Sequence, residues 1–212
     1  MNNTTLKRNL RAKEIAQAAL RLFARKGYAA GSIEEISVEA GIGKSTVYEY
    51  YRNKEELFVA AVMEGAEQWF TDLEAINRKT TDPVERLYRI AALYVEEHGT
   101  EFTVRSKLFF EVLSQTLLQD GVFFHQRHLI LNLYQRHVRT VVDFLLEGVS
   151  SGQLRPEIAS YSEKIAINFL AYLDGLAMHS MVAGDQIDLR TQIDLFLKYM
   201  VPLLKTDRSE AA

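Results

Sequence analysis

SIEEISVEAGIGKSTVYEYYRNK, residues 32–54, is the stretch whose reading decides the rest of the chain. Ser32 with Glu35 three residues later makes a capping box, which satisfies orphan N–H groups at a helix start. Gly41 ends that helix, because glycine takes the left-handed conformation a C-terminus favours, and Ala40 before it lets two helix axes cross closely. Ile42 offers an apolar plug, and Gly43 is a tolerated N-cap for a second helix over Lys44 to Tyr51. At helical spacing Val47 and Tyr51 share an inward face, while Ser45, Tyr48, Glu49 and Arg52 face outward. Two short helices about a glycine turn, over about residues 32–51, have the form of a helix-turn-helix. Such a unit lays its second helix in the DNA major groove.

The same letters contain a competing pattern. Gly41-Ile-Gly-Lys-Ser-Thr46 resembles the tail of a phosphate-binding P-loop, but that motif needs a glycine where Val38 stands. It also follows a β-strand, whereas residues 33–40 are capped and spaced as a helix.

Gly27-Tyr28, Ser32, Ile36, Ala40-Gly41-Ile42, Lys44, Thr46, Tyr48, Tyr51 and Lys54-Glu55-Glu56-Leu57-Phe58 together resemble the N-terminal domain of the TetR family of bacterial transcriptional regulators. The likeness covers about residues 10–65. Ser37, Gly43, Ser45 and Tyr50-Tyr51 depart from the usual pattern, so the operator sequence does not follow by analogy. The resemblance implies a regulator, in the commonest form a repressor, that binds a palindromic double-stranded operator as a homodimer and is released by a small-molecule effector. It further implies phosphate contacts from Ser32 and Lys54, with Tyr48 and Tyr50 near the backbone or thymine methyls. Lys44, Ser45, Thr46 and Glu49 are then placed for base edges, Lys44 suiting guanine and Glu49 cytosine. Glu49 pairing with Arg52 is the bland alternative.

With 212 residues, 48% of them hydrophobic, the chain can bury a sizeable core in one or two domains. Cysteine is absent, which excludes a disulfide framework and a thiolate metal site and suits a reducing cytoplasm. No run approaches 18 apolar residues, so no membrane segment is expected, and the N-terminus lacks a signal-peptide pattern. The net charge of −3 conceals an asymmetry: residues 1–54 hold ten basic and five acidic residues, the remainder fifteen and 23. A basic head on an acidic body fits a nucleic-acid-binding domain joined to a non-binding one.

Apart from residues 1–10, read as a mobile basic arm, the pattern is helical throughout. Ile15, Ala18, Ala19, Leu22 and Phe23 form an apolar stripe ending at Arg25-Lys26-Gly27. Asn53 with Glu56 suggests a second capping box, and Asp82-Pro83-Val84-Glu85 a strong helix start followed by an apolar face up to Gly99. Further helices are expected over about 101–118, from Val122 to about Gly148, over 160–182 and over 189–204. The fold class is therefore all-α with about nine helices. The family resemblance then implies a DNA-binding domain over 8–68 followed by an effector-binding and dimerisation domain over 69–206.

No catalytic constellation emerges, and neither a metal nor a cofactor is expected. His125 and His128 are spaced i, i+3 without the partners of a known metal motif, which leaves a metal-binding helical bundle as the alternative class. His179, like His137, lies among apolar residues and reads as a core or pocket group. Trp69, Phe109, Phe110, Tyr134 and Tyr172 with the polar markers His137 and Asn168 would line an effector cavity, though aromatic residues at helical spacing are by base rate core. The penultimate helix is apolar around more of its circumference than one buried face requires. Ala171, Asp174, Gly175 and Met178 on it would form the dimer contact that the family resemblance implies.

Overall fold

The computed structural model describes residues 3–96 and 100–206, with backbone alone at 3, 95–96, 100–106 and 185. Nine α-helices are present among these residues: α1 (Asn3–Ala30), α2 (Ile33–Glu39), α3 (Lys44–Tyr50), α4 (Lys54–Lys79), α5 (Pro83–Glu96), α6 (Thr100–Leu117), α7 (Arg127–Ser150), α8 (Ile158–Ala183) and α9 (Leu189–Leu204). The fold is all-α; among the described residues the one extended pairing is an isolated bridge between Leu154 and Lys205. The expected helix end at Gly99 lies outside the described residues.

Several boundaries differ from expectation for identifiable reasons. Residues 3–10 are helical, so the basic arm is the first part of α1 rather than a frayed tail. The expected stop at Gly27 is a break with φ +79°, after which one more turn continues to Ala30. The helix expected from Val122 starts at Arg127, because a 3-10 turn at Phe124–Gln126 precedes it. His125 lies in that 3-10 turn and His128 in the first turn of α7.

The chain divides into two compact units, residues 1–71 with 103–131 and residues 72–102 with 132–212. Residues 103–131 join the first unit, an arrangement that a single cut at 68 does not include. Phe123 explains this. It is fully buried in the core of the first unit with Ile15, Ala19, Phe23, Ile36, Val47 and Phe58, its ring 5.7 Å from that of Phe58. A tight turn delivers it: the N–H of Phe123 donates to the Gln115 carbonyl at 3.0 Å and that of Val122 to Gln115 Oε1 at 3.0 Å.

In the second unit α5, α8 and α9 pack on one another through Leu87, Ile90, Ala91, Phe169, Leu173, Leu189, Ile193 and Leu197. Arg86 is buried there, its guanidinium on Glu147, on the Thr80 carbonyl at 3.0 Å and over the Phe144 ring at 4.9 Å. Burial lowers the pKa of His137 to about 4, so the imidazole is neutral near neutral pH. α8 is long and apolar enough, by length and composition, to cross a membrane, with mean hydropathy 1.3 over 18 residues. This amends the expectation drawn from counting uninterrupted apolar runs. Helices of soluble cores pass the same test.

Two measurements check this packing. A Cβ on Gly121 would stand 2.2 Å from the Gln115 carbonyl oxygen, so Gly121→Ala should lower unfolding free energy by about 1–3 kcal/mol, read by chemical denaturation. His137 binds a proton more readily unfolded than folded, so its contribution to stability falls as pH drops from about 6.5 towards 4, by about 3 kcal/mol in all. His137→Leu should flatten that acid limb in pH-dependent melting.

Candidate nucleic-acid interface

The helix-turn-helix forms as its letters suggest. Ser32 accepts from the Glu35 N–H at 3.2 Å and Glu35 Oε2 accepts from the Ser32 N–H at 3.2 Å, completing the capping box. Hydrogen bonds from Lys26 and then Ser32 hold the Glu35 carboxyl below its ordinary pKa. Gly41 has φ +65° in the turn. Gly43 caps α3 without a side-chain bond. α2, the helix before Gly41, occupies the place where a P-loop requires a strand.

α3 is held by its inner face. Val47 is fully buried, and the Tyr51 hydroxyl donates to the Ala12 carbonyl at 2.9 Å, with burial raising its pKa. On the outer face Lys44, Ser45, Tyr48 and Glu49 are exposed, while Thr46 and Tyr50 are half-buried. Six of the eight expected DNA-facing residues thus lie on one short helix. Lys44 Nζ stands 3.7 Å from Glu34, both side chains being mostly exposed. Such a pair is worth at most about 1 kcal/mol and is easily exchanged for a base or phosphate. Glu49 does not pair with Arg52, which instead donates to Glu56 Oε2 through its backbone N–H at 2.8 Å and its Nε at 3.1 Å. Glu56 therefore does not complete the second expected capping box, of which only Asn53 Oδ1 accepting from the Glu56 N–H at 2.8 Å is formed.

Ser32 and Lys54, assigned to phosphates by resemblance, are engaged within the unit. The Ser32 hydroxyl donates to Glu35 Oε2 at 2.9 Å. Lys54 Nζ donates to the carbonyls of Tyr28, Ala29 and Gly31 at 2.9, 3.2 and 3.1 Å and lies 4.5 Å from the centre of the Tyr28 ring. All three ammonium protons have acceptors, and the charge sits where the last carbonyls of α1 concentrate negative potential.

The expected effector-pocket residues are divided between the two units. Trp69, Phe109 and Phe110 belong to the first unit, Tyr134, His137, Asn168 and Tyr172 to the second. Asn168 lies on the exposed face of α8, and Tyr172 stacks on Phe196 at 3.8 Å with its hydroxyl on the Gln192 carbonyl. His179 is exposed rather than in the core. An open recess of about 590 Å³ is lined by Asp143, Leu146, Glu147, Ser150 and Ser151, none of them anticipated. Of the four expected dimer residues, Asp174 turns inward: the Tyr94 hydroxyl donates to its Oδ1 at 3.0 Å, and burial raises the pKa of both.

The sequence profile of bacterial regulatory proteins, tetR family, matches residues 15–61, and that of the tetracyclin repressor-like C-terminal domain matches residues 91–188. The chain belongs to the TetR family. It is 26% identical over 194 residues to the HTH-type transcriptional regulator BetI of Brucella melitensis, 90% of each chain being covered. It is 25% identical over 176 residues to the HTH-type transcriptional repressor NicS of Pseudomonas putida, covering 82% of this chain and 80% of that one. Among solved structures, a transcriptional regulator from Saccharomonospora viridis in complex with choline superposes with a TM-score of 0.76 at 21% identity, covering 92% of this chain and 98% of that one. A TetR-family regulator from Cytophaga hutchinsonii gives 0.78 at 17% identity over 95% and 98%. This TetR-family chain is accordingly a DNA-binding transcriptional regulator whose first unit carries the helix-turn-helix.

Lys54→Met leaves three carbonyls without their charged donor and should cost about 2 kcal/mol of stability, measured by urea unfolding. Loss of DNA affinity without loss of stability would support the phosphate contact that the resemblance implies for Lys54.

Proposed function

We propose that this regulator binds a two-fold symmetric operator as a homodimer, represses the adjoining gene in the cytoplasm, and is released by a small molecule held in its second unit. The observation that carries this reading is the outer face of α3. Lys44, Ser45, Tyr48 and Glu49 are exposed along it while Val47 is buried, so donors and acceptors project together from a fixed rod. Lys44 suits the O6 and N7 acceptors of guanine, and Glu49 the N4 donor of cytosine. Thr46 and Tyr50, less exposed, flank them.

Support for the dimer comes from α8. Tyr161, Lys164, Asn168, Ala171, Gly175, Met178 and Val182 recur at alternating spacings of three and four, and all are exposed except Gly175, which is half-buried. A Cβ on Gly175 would meet nothing within 4 Å, leaving room for a second backbone. Leu195, Tyr199 and Leu203 continue an exposed apolar face on α9. Spacing of this kind forms the seam between packed helices. Ala171, Gly175 and Met178 thus remain in the proposed interface, without Asp174.

Selection of bound fragments from genomic DNA tests the reading. Half-sites should be related by two-fold symmetry and lie about 34–36 Å apart or at a multiple of that distance. Lys44→Ala should relax preference at one base pair per half-site by about 1–3 kcal/mol. Met178→Glu together with Gly175→Arg should yield a folded monomer in sedimentation with weakened operator binding; a persistent dimer would place the interface elsewhere. Choline, bound by the Saccharomonospora viridis relative, is the first effector to titrate. A coupled effector weakens operator binding by about 5–150-fold, and an unchanged affinity assigns the role to another compound.

A further inference from the structure

The N-terminal part of α1 carries Lys7, Arg8 and Arg11 on one face of the helix. Arg8 Nη2 donates to the backbone carbonyl of Glu49 at 3.1 Å, and its guanidinium lies 5.4 Å from the centre of the Tyr50 ring. Both acceptors belong to the last turn of α3. The contact therefore fixes a full positive charge at the end of the DNA-facing helix, where the helix dipole favours it. Arg8 is exposed and uses one of its five N–H donors in this bond.

The surrounding charges make this position unusual. Of the ten basic residues in 1–54, seven (Arg11, Lys13, Arg21, Arg25, Lys26, Lys44 and Arg52) pair with a carboxylate, and Lys54 is engaged by carbonyls. Among the described residues, Lys7 and Arg8 alone of the ten have neither kind of engagement by an acid nor a full set of acceptors. They sit side by side on the helix that abuts α3.

We infer that Arg8, held on Glu49 and Tyr50 and backed by Lys7, is a phosphate-contacting residue of the DNA interface, reaching the backbone beside the groove that α3 occupies. The inference rests on the DNA-binding role of α3 and adds to it a contact that no residue of the helix-turn-helix supplies. A guanidinium anchored through one N–H keeps its planar fork for a phosphate, and the anchor reduces the side-chain freedom lost on binding. Such a contact carries affinity and salt dependence without sequence preference.

The test is the salt dependence of binding by the full-length protein on a selected operator duplex and on an unrelated duplex. Each phosphate contact contributes about 0.9 to the slope of log K against log salt. Arg8→Ala in a bound dimer should therefore reduce the slope by about 2 and weaken binding roughly tenfold on both duplexes alike. Arg8→Lys, which keeps the charge and loses the fork, should retain the wild-type slope. If Arg8 served only to steady α3, Arg8→Ala would change affinity or base preference with the slope unaltered, and that result overturns the inference. An unaltered slope with unaltered affinity overturns it as well. Wild-type protein indifferent to both duplexes at low salt would instead sink the DNA-binding reading itself, so the two failures are distinguishable.

Discussion

A seven-residue helix has no stability of its own. Isolated helices shorter than about 12–15 residues are marginal in water even with favourable sequences, and α3 runs only from Lys44 to Tyr50. Everything that lets it present side chains to DNA is supplied by neighbours. Val47 enters the core beside Phe58 and Ile36, and Tyr51 bonds the Ala12 carbonyl. The ring cluster of Phe23, Tyr28 and Phe58, with centroids 4.7–5.8 Å apart, fixes α1 against α4. Lys54 at the start of α4 closes the same junction by gathering the last carbonyls of α1. The internal role of Lys54 thus follows from the shortness of α3: the frame around the DNA-facing helix must be stiff because the helix is not.

What was legible beforehand was whatever depends on neighbours in sequence. The Ser32 capping box, the glycine turn, Gly43 as cap, the burial of Val47 and the bounds of α9 follow from local rules of hydrogen bonding and φ/ψ space. What depends on partners distant in sequence was not. Nothing in the letters around Phe123 says that its ring fills the core of the first unit, 65 residues from Phe58, because an aromatic residue suits any core. Glu56 fits a capping box, but its carboxylate accepts instead from the Arg52 N–H and Nε. Asp174 falls beside the outward stripe of α8, yet its hydrogen bond to Tyr94, 80 residues away, draws it inward.

The excess apolar surface of α8 has a related lesson. A helix can be apolar all round because it is deeply buried, because it lies in lipid, or because another chain covers it. Burial distinguishes these where hydropathy does not. Leu173, Phe169 and Ala177 are buried, whereas Tyr161, Met178 and Val182 on the opposite face are exposed. The apolar excess is thus split between two faces, one used inside the unit and one left over. Asp174, near the middle of α8 and bonded to Tyr94 within the unit, argues for packing in protein over lipid, since charges at mid-membrane depth are costly.

The first unit is less basic than residues 1–54 alone. Residues 1–54 carry +5, but residues 55–71 add four acidic residues, and residues 103–131 add three basic and two acidic ones, so the first unit carries +2. Most of its cations are moreover neutralised locally by exposed ion pairs, whose fields decay within the screening length of about 8 Å at physiological salt. A protein of net charge −3 built this way gains little from long-range attraction to DNA. Its binding must come from close contacts made after docking, by groups on and beside α3 whose positions are fixed in advance. That places the burden of recognition on geometry, and the Arg8 and Tyr51 hydrogen bonds at the C-terminal end of α3 hold that geometry in place.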